Sequence, residues 1–358
     1  MATNKIITPN EFWSPYEIVV SSIRELHDAI SHIEDKNKDS NKTFGWRGQS
    51  NSNWSLNSKL YRDLSTPSDP PTEAKISDYE KKCLAELKRW GLHFQKNAGR
   101  MSVFQQLAML QHFQTATRLI DFSYNALVAS FFAVAEDKKE DRNDSRIFAI
   151  DITDRTINDI NDLRSWEDSL DTPWSKSALI SYYDEWKENN PNKDISRDQF
   201  IKNWMNEWNT NYYAWRPPSL DARISAQVGG FIFGGVVSNT VSKGYIETKN
   251  NDGTAITPKE NSRFQISKEA EDIISEPNKP REYIPLDNLR QITSIAIRPR
   301  KKDIALPKGR TSHAYSIRIQ ADAKKPIREY LKKVYGYEYA TVYPDYPGFS
   351  RYYQLSFK

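Results

Sequence analysis

The chain has a single cysteine, Cys83, in 358 residues. One thiol excludes an intramolecular disulfide framework and a zinc cage built on cysteines. The five histidines are scattered, and none forms the i, i+4 pair of a helical zinc site; no metal ligands are assigned. Also missing is any apolar run of about 18 residues, the length a membrane-crossing helix needs. The opening residues, MATNKIITPNEFW, lack the continuous apolar stretch of a secretory leader, which makes the cytoplasm the expected location and excludes a membrane partner. Hydrophobic residues reach only 38%, and mean hydropathy is -0.76. Charge of one sign is scarce too: 51 basic and 47 acidic side chains leave +4. Such a balance mostly solvates a surface and does not call for nucleic acid.

Aromatic residues are abundant, at 12%, with ten Trp and nineteen Tyr. A disordered chain would be poor in them, so this one folds. At this length it buries a core without staples, and its rings carry polar handles that suit interfaces.

Local patterns point to an α+β fold with a mixed, mostly antiparallel central sheet flanked by helices. Ile18–Val20 reads as a short strand. Ser22 with Glu25 reads as a capping box opening a helix. Thr43 to Gly48 reads as a strand running into a turn. Ile76, Tyr79, Cys83, Leu87, Trp90 and Phe94 form one apolar helical stripe. Residues 127–134 are apolar almost all round and predict a buried helix, with Asp121 as a candidate N-cap before it. Strands are expected at Arg146–Ile152, Gly230–Phe233 and Ile292–Ile297, with a polar loop over residues 250–278. A last helix is expected to open near Pro326, a residue suited to a first helical position, and to stop at Gly336. Residues 155–217 hold six of the ten Trp, at 166, 174, 186, 204, 208 and 215. They read as a helical insertion, serving either as a surface for a protein partner or self-association or as a small satellite core.

Four stretches stand out in order: Trp46-Arg47-Gly48-Gln49, with Leu60-Tyr61-Arg62 following; Gln111-His112-Phe113 with Thr117-Arg118-Leu119-Ile120-Asp121; Arg223 to Phe231, containing Gln227 and Gly229-Gly230; and Tyr343 to Phe349. Together they resemble the FRG domain family, which is named for an aromatic-Arg-Gly motif. The resemblance covers roughly residues 15–358, interrupted by the Trp-rich stretch. It implies an FRG-like domain in two parts, 1–154 and 218–358, around residues 155–217. The chain departs from the family pattern at Gln114-Thr115-Ala116, where Gly-Leu-Pro is usual, and at Phe122-Ser123, where Trp-Thr is usual.

The residue chemistry leaves alternatives open. Arg47 precedes a glycine, which allows close backbone approach, and its planar fork matches phosphate or carboxylate. It reads either as an anion-binding residue or as the partner of a carboxylate such as Asp121. An imidazole has an unperturbed pKa near neutrality, and His112 reads as a proton carrier or a core histidine. Gln49, Arg118, Asp121 and Arg223 are candidate ligand-binding residues. Arg223 and Gln227 would share a helical face.

One reading is a nucleotide- or anion-binding sensor or interaction module. A second is enzymatic: the order of motifs resembles ADP-ribosyltransferases of the Arg–Ser/Thr–Glu type, with NAD as candidate cofactor and a toxin or antiviral effector as the biological setting. The catalytic roles would fall on Arg47, His112, Thr117 and Gln227. There a late carboxylate normally stabilises an oxocarbenium-like transition state, and Gln227 is neutral; Glu247 and Glu282 are substitutes. A third is nucleic-acid binding by the basic run Arg298–Arg310, which a solvated loop explains as well.

Overall fold

A computed structural model describes residues 7–66, 69–95, 99–137, 139–157, 176–217, 222–236, 290–306, 313–346, 348–350 and 353. The expected loop at 250–278 and the residues Trp166, Trp174, Glu247 and Glu282 lie outside them.

Alternation of large apolar residues along short strands builds the central sheet. Its strands are β1 (Glu17–Val20), β2 (Phe44–Gln49), β5 (Ile120–Ser123), β6 (Ser145–Asp151), β7 (Tyr212–Trp215), β8 (Gly229–Gly234), β9 (Arg298–Pro299) and β10 (His313–Ile319). The spatial order is β1-β10-β6-β2-β5-β8-β7, with β9 also beside β10. β1 and β9 run parallel to β10, and the other pairings are antiparallel. A separate hairpin joins β3 (Phe94–Gln95) to β4 (Gly99–Arg100). The chain is α+β, with a mixed, mostly antiparallel sheet.

On one face, Phe44, Trp46, Ile147, Ala149, Tyr315 and Ile319 meet three helices: α2 (Ile23–Asn37), α6 (Ala126–Val134) and α10 (Ala321–Tyr335). On the other, Ile120, Phe122, Phe148, Ile150 and Ile232 pack under α1 (Pro9–Trp13), Leu56 and the segment Ile292–Ile297. A further cluster joins β7 and β8, through Tyr213, Trp215 and Phe233, to α5 (Val103–His112) and to Trp208 of α8 (Arg197–Thr210).

Several expectations need correcting. Ile292–Ile297 is buried but irregular, with Thr293 bridging Leu56. Its hydroxyl accepts from the Ile295 amide at 3.2 Å, which turns the backbone. A continuous apolar run does not distinguish a strand from such a packed turn. The stripe helix α4 (Glu73–Arg89) ends before Phe94, because Gly91 takes φ +73 there. Its buried residues are Glu73, Ile76, Glu80 and Leu84, whereas Trp90 and Phe94 are exposed. Asp121 does not cap α6: it lies in β5, and Asn125 Oδ1 accepts from the Leu127 amide at 2.8 Å. The last long helix starts at Ala321, with Pro326 inside it, and closes on Gly336 at φ 69 as expected. Ser22 caps α2, but Glu25 reaches back to the Ser21 amide at 2.7 Å instead of to that of Ser22.

In the Trp-rich stretch, α7 (Lys176–Asn189) and α8 are helices. Its end, Tyr212–Trp215, is a strand of the central sheet, and Trp208 is fully buried. A boundary at 217 therefore falls between two strands that pair with each other.

α6 lies close on β2 because Gly48 has no side chain. A Cβ there would sit 1.9 Å from the Ala129 carbonyl oxygen and 2.7 Å from the Ala133 nitrogen. Both are helix backbone, so the contact cannot be relieved by a rotamer change. Gly48→Ala is expected to lower stability by about 1–3 kcal/mol, read as a lower urea midpoint with an unchanged m-value.

Candidate functional site: a cleft where two strands part

β2 pairs with β6 from Phe44 to Gln49, and β5 pairs with β8 from Ile120 to Ser123. Between β2 and β5 there is one residue pair, Trp46↔Ser123. Beyond it the strands separate, and a cleft of about 660 Å³ opens beside Arg47-Gly48-Gln49. The Arg47 guanidinium crosses the gap. Its Nη1 donates to the main-chain oxygen of Asp121 at 2.7 Å and stands 3.8 Å from the Asp121 carboxylate. Burial pulls the Arg47 pKa below its ordinary value, the Asp121 charge opposes that, and neighbouring Arg62 adds to it. The group stays cationic, as guanidinium does in proteins.

α5 supplies the next wall. It starts from a capping box between Ser102 and Gln105 and ends at His112. Gln114 then takes φ 68, and the chain turns back toward β5. Gln111 and His112 line the cleft at this helix end. The Gln111 amide donates to Asp121 Oδ1 at 2.7 Å, and its oxygen accepts from the Thr117 hydroxyl. Thr117, Gln111, Asp121 and Arg47 thus form a polar chain running from the core to the cleft. Thr117 is its buried end and does not line the cavity.

Gln49 lies two residues beyond Arg47 on the same side of β2 and lines the cleft. Across it stands the turn after α9 (Ala222–Ala226). Gln227 sits just past that helix, so the shared helical face expected for Arg223 and Gln227 does not form. The Arg223 side chain lies outside the described residues. Gln227 donates to the Val342 carbonyl at 3.1 Å, tying this turn to α11 (Tyr339–Val342), after which Tyr343 reaches the cleft. Val228 follows at φ 46, a left-handed conformation costly for a β-branched residue. Gly230 then lets Phe122 pass, since a Cβ there would lie 2.6 Å from the ring.

Arg118, expected as a ligand-binding residue, is placed elsewhere by the fold. It does not line the cleft. Its side chain is 3% exposed and ion-paired to Glu73 at 2.9 Å and Glu80 at 2.6 Å. The second cleft arginine is Arg62, on α3 (Lys59–Leu64). Ser58 caps that helix, and the Tyr61 hydroxyl anchors it to the Arg290 carbonyl at 3.0 Å. Arg62 Nη1 donates to the Asn57 carbonyl at 2.5 Å, and burial lowers its pKa. Arg62, Asn57, Trp54 and Gln111 were not among the predicted site residues. Arg62 and Gln111 did stand in the motif stretches, which was the available signal.

Residues 42–142 match the family model of the FRG domain. The chain carries an FRG domain. The match spans the motifs at Arg47 and at Gln111–Asp121, while Gln227 and Tyr343 lie beyond it and reach the same cleft through the fold. Neither curated proteins nor solved structures give a match to the chain. Among the described residues, no group of His, Cys, Asp and Glu could hold a metal ion. No helix among them is long and apolar enough to cross a membrane.

Two substitutions separate architecture from site. Arg118→Leu strands two buried carboxylates and is expected to cost about 3–5 kcal/mol in urea unfolding. Val228→Gly removes the backbone strain at a half-exposed side chain, and is expected to raise stability by up to about 1 kcal/mol in the same assay.

Proposed function

We propose that the FRG domain binds a small phosphate-bearing ligand of the nucleotide class in this cleft, and that the chain acts as a ligand-responsive sensor or interaction module. The observation that carries this reading is the meeting of Arg47, Arg62 and His112 around one carboxylate, Asp121, among the described lining residues. Asp121 is engaged by Gln111 and Arg47, so the remaining field favours an anion. Guanidinium forks match phosphate oxygens. The volume suits a small-molecule site. Trp54 and Tyr343 add flat apolar surface of the kind a nucleoside needs.

A route from ligand to partner starts at Tyr343. The segment after it exposes Tyr346 and Phe349, so a ligand touching Tyr343 bears on a surface rich in aromatic rings. The helices α7 and α8 are a second candidate surface for a partner or self-association. Trp208 of α8 is buried and takes no part in it.

No observation favours the enzymatic alternative over binding. Gln227 is neutral and its amide is engaged with Val342, and the substitutes Glu247 and Glu282 fall outside the described residues. The basic run gives little support to nucleic-acid binding: Arg300 is buried and donates to the Ala305 carbonyl at 2.9 Å.

Calorimetric titration with pyrophosphate, AMP, ATP and NAD tests the proposal. At least one is expected to bind, and Arg47→Ala to weaken that binding by about 10- to 100-fold through loss of charge-assisted hydrogen bonds. Indifference to all four anions removes the proposal. Release of nicotinamide from NAD that Arg47→Ala abolishes would move the assignment to the NAD-consuming enzyme.

A further inference from the structure

A carboxylate in the wall of an anion site works against the anion, so Asp121 calls for an explanation. Its duties in the fold are slight. It does not cap α6, and its side chain is 63% exposed. Arg47 is held without it, because Arg47 Nη1 donates to the main-chain oxygen of Asp121 at 2.7 Å. Yet the carboxylate is fixed in place.

Three hydrogen bonds in series fix it. The Leu119 amide donates to Thr117 Oγ1 at 3.3 Å. The buried Thr117 hydroxyl donates to Gln111 Oε1. Gln111 Nε2 donates to Asp121 Oδ1 at 2.7 Å. A side-chain amide has one accepting and one donating end, so the order of donors decides which end of Gln111 meets Asp121. The second carboxylate oxygen is not engaged in this way. Oδ2 stands 3.8 Å from Arg47 Nη1, beyond hydrogen-bond reach. Among the described residues no donor is bonded to it. The wall of the cleft thus presents an oriented, solvent-open acceptor beside a guanidinium. The Asp121 charge also bears on Arg62, the other cleft arginine.

Such an oxygen repels a phosphate and accepts from a neutral donor. In a nucleotide the donors nearest the phosphate are the sugar hydroxyls, and the amines of the bases lie at the far end. Resting on the nucleotide-class reading above, we infer that Asp121 is a specificity-determining residue for ribose: its Oδ2 accepts from a sugar hydroxyl while the phosphate is held at Arg47 and Arg62. The ligand is then a ribonucleotide, and a deoxy form is rejected. The same carboxylate weakens the hold on a bare anion. A residue that only supported the fold would do neither.

Calorimetric titration of the full chain tests this, with AMP and ATP, the 2′-deoxy and 3′-deoxy forms of each, IMP and pyrophosphate. A ribonucleotide is expected to bind about tenfold more tightly than at least one of its deoxy forms, the loss of one hydrogen bond to a charged group. In Asp121→Asn that ratio is expected to disappear while pyrophosphate binds about threefold more tightly, in a protein that keeps the wild-type melting temperature. Gln111→Met, which releases the carboxylate without removing its charge, is the second variant should Asp121→Asn unfold, and it is expected to lower the ratio. Equal affinity for the ribonucleotides and all their deoxy forms would overturn the inference, as would a ratio that survives the substitution, or binding of pyrophosphate but of neither ribonucleotide. A preference for AMP over IMP that Asp121→Asn abolishes would put a base amine on Oδ2 and overturn it too. In each of these cases pyrophosphate binding that depends on Arg47 leaves the anion site standing. Absence of binding by every probe to the wild-type chain removes both.

Discussion

The guanidinium of Arg118, closed between Glu73 and Glu80, is the contact on which the geometry of the cleft depends. It donates to both oxygens of Glu80 and to Glu73 and the Gly234 carbonyl. Glu73 also accepts from Trp208 Nε1 at 3.0 Å and from the Val236 amide at 2.7 Å. One buried cluster thereby joins α4, the approach to β5, α8 and the end of β8. Desolvation raises the Glu80 pKa, and Arg118 works against it. A buried pair of this kind adds little net stability over well-packed apolar groups, but losing one partner is costly because a bare charge is left behind. Its effect is to hold β5 on the β8 side of the sheet.

The β2 side is held by different charges. Lys324, almost fully buried on α10, donates to the carbonyls of Ser50, Glu140 and Asn143 at 2.9, 2.6 and 3.2 Å. Arg146, in β6, donates to the Ser52 carbonyl at 3.2 Å and to Glu17 at 2.6 Å. The loop that follows β2 is therefore fixed at both Ser50 and Ser52. With one strand secured to each side and one residue pair between them, the parting of β2 and β5 is enforced by the fold. The cleft does not need a ligand to open it, which lowers the ordering cost of binding.

Sequence patterns revealed elements better than they revealed partners. The strands at 44–49, 145–151 and 229–234 and the apolar helix at 126–134 follow from alternation and from a run apolar on every side. The convergence of Arg47, Gln111, Asp121, Gln227 and Tyr343 was legible only as motifs in order, and residues 42–142 carry the family match. What failed was the sorting of arginines. Arg47 and Arg118 look alike in sequence, each beside small or apolar residues in a motif. Their difference lies in Glu73 and Glu80, acidic residues about 40 positions upstream on the buried face of a helix. Periodicity assigns such residues to solvent, because burial of a carboxylate makes sense only once its partner is known. The same blindness explains Arg62, whose role depends on where a six-residue helix lands.

The tripeptide Trp46-Arg47-Gly48 then divides its work between the two faces of β2. Trp46 faces the helical layer and is 3% exposed. Gly48 admits the backbone of α6, at a distance no other residue permits. Arg47 points the other way, into the gap, and supplies a donor to a β5 carbonyl where the β2–β5 ladder has stopped. A strand that must pack tightly on one side and stay unpaired on the other needs this combination. Lysine at position 47 would keep the charge, but it lacks the planar fork that can reach the Asp121 carbonyl with one nitrogen and leave others for a ligand. The arginine is structural and available at once, and that dual demand explains why an Arg-Gly pair stands at the end of β2.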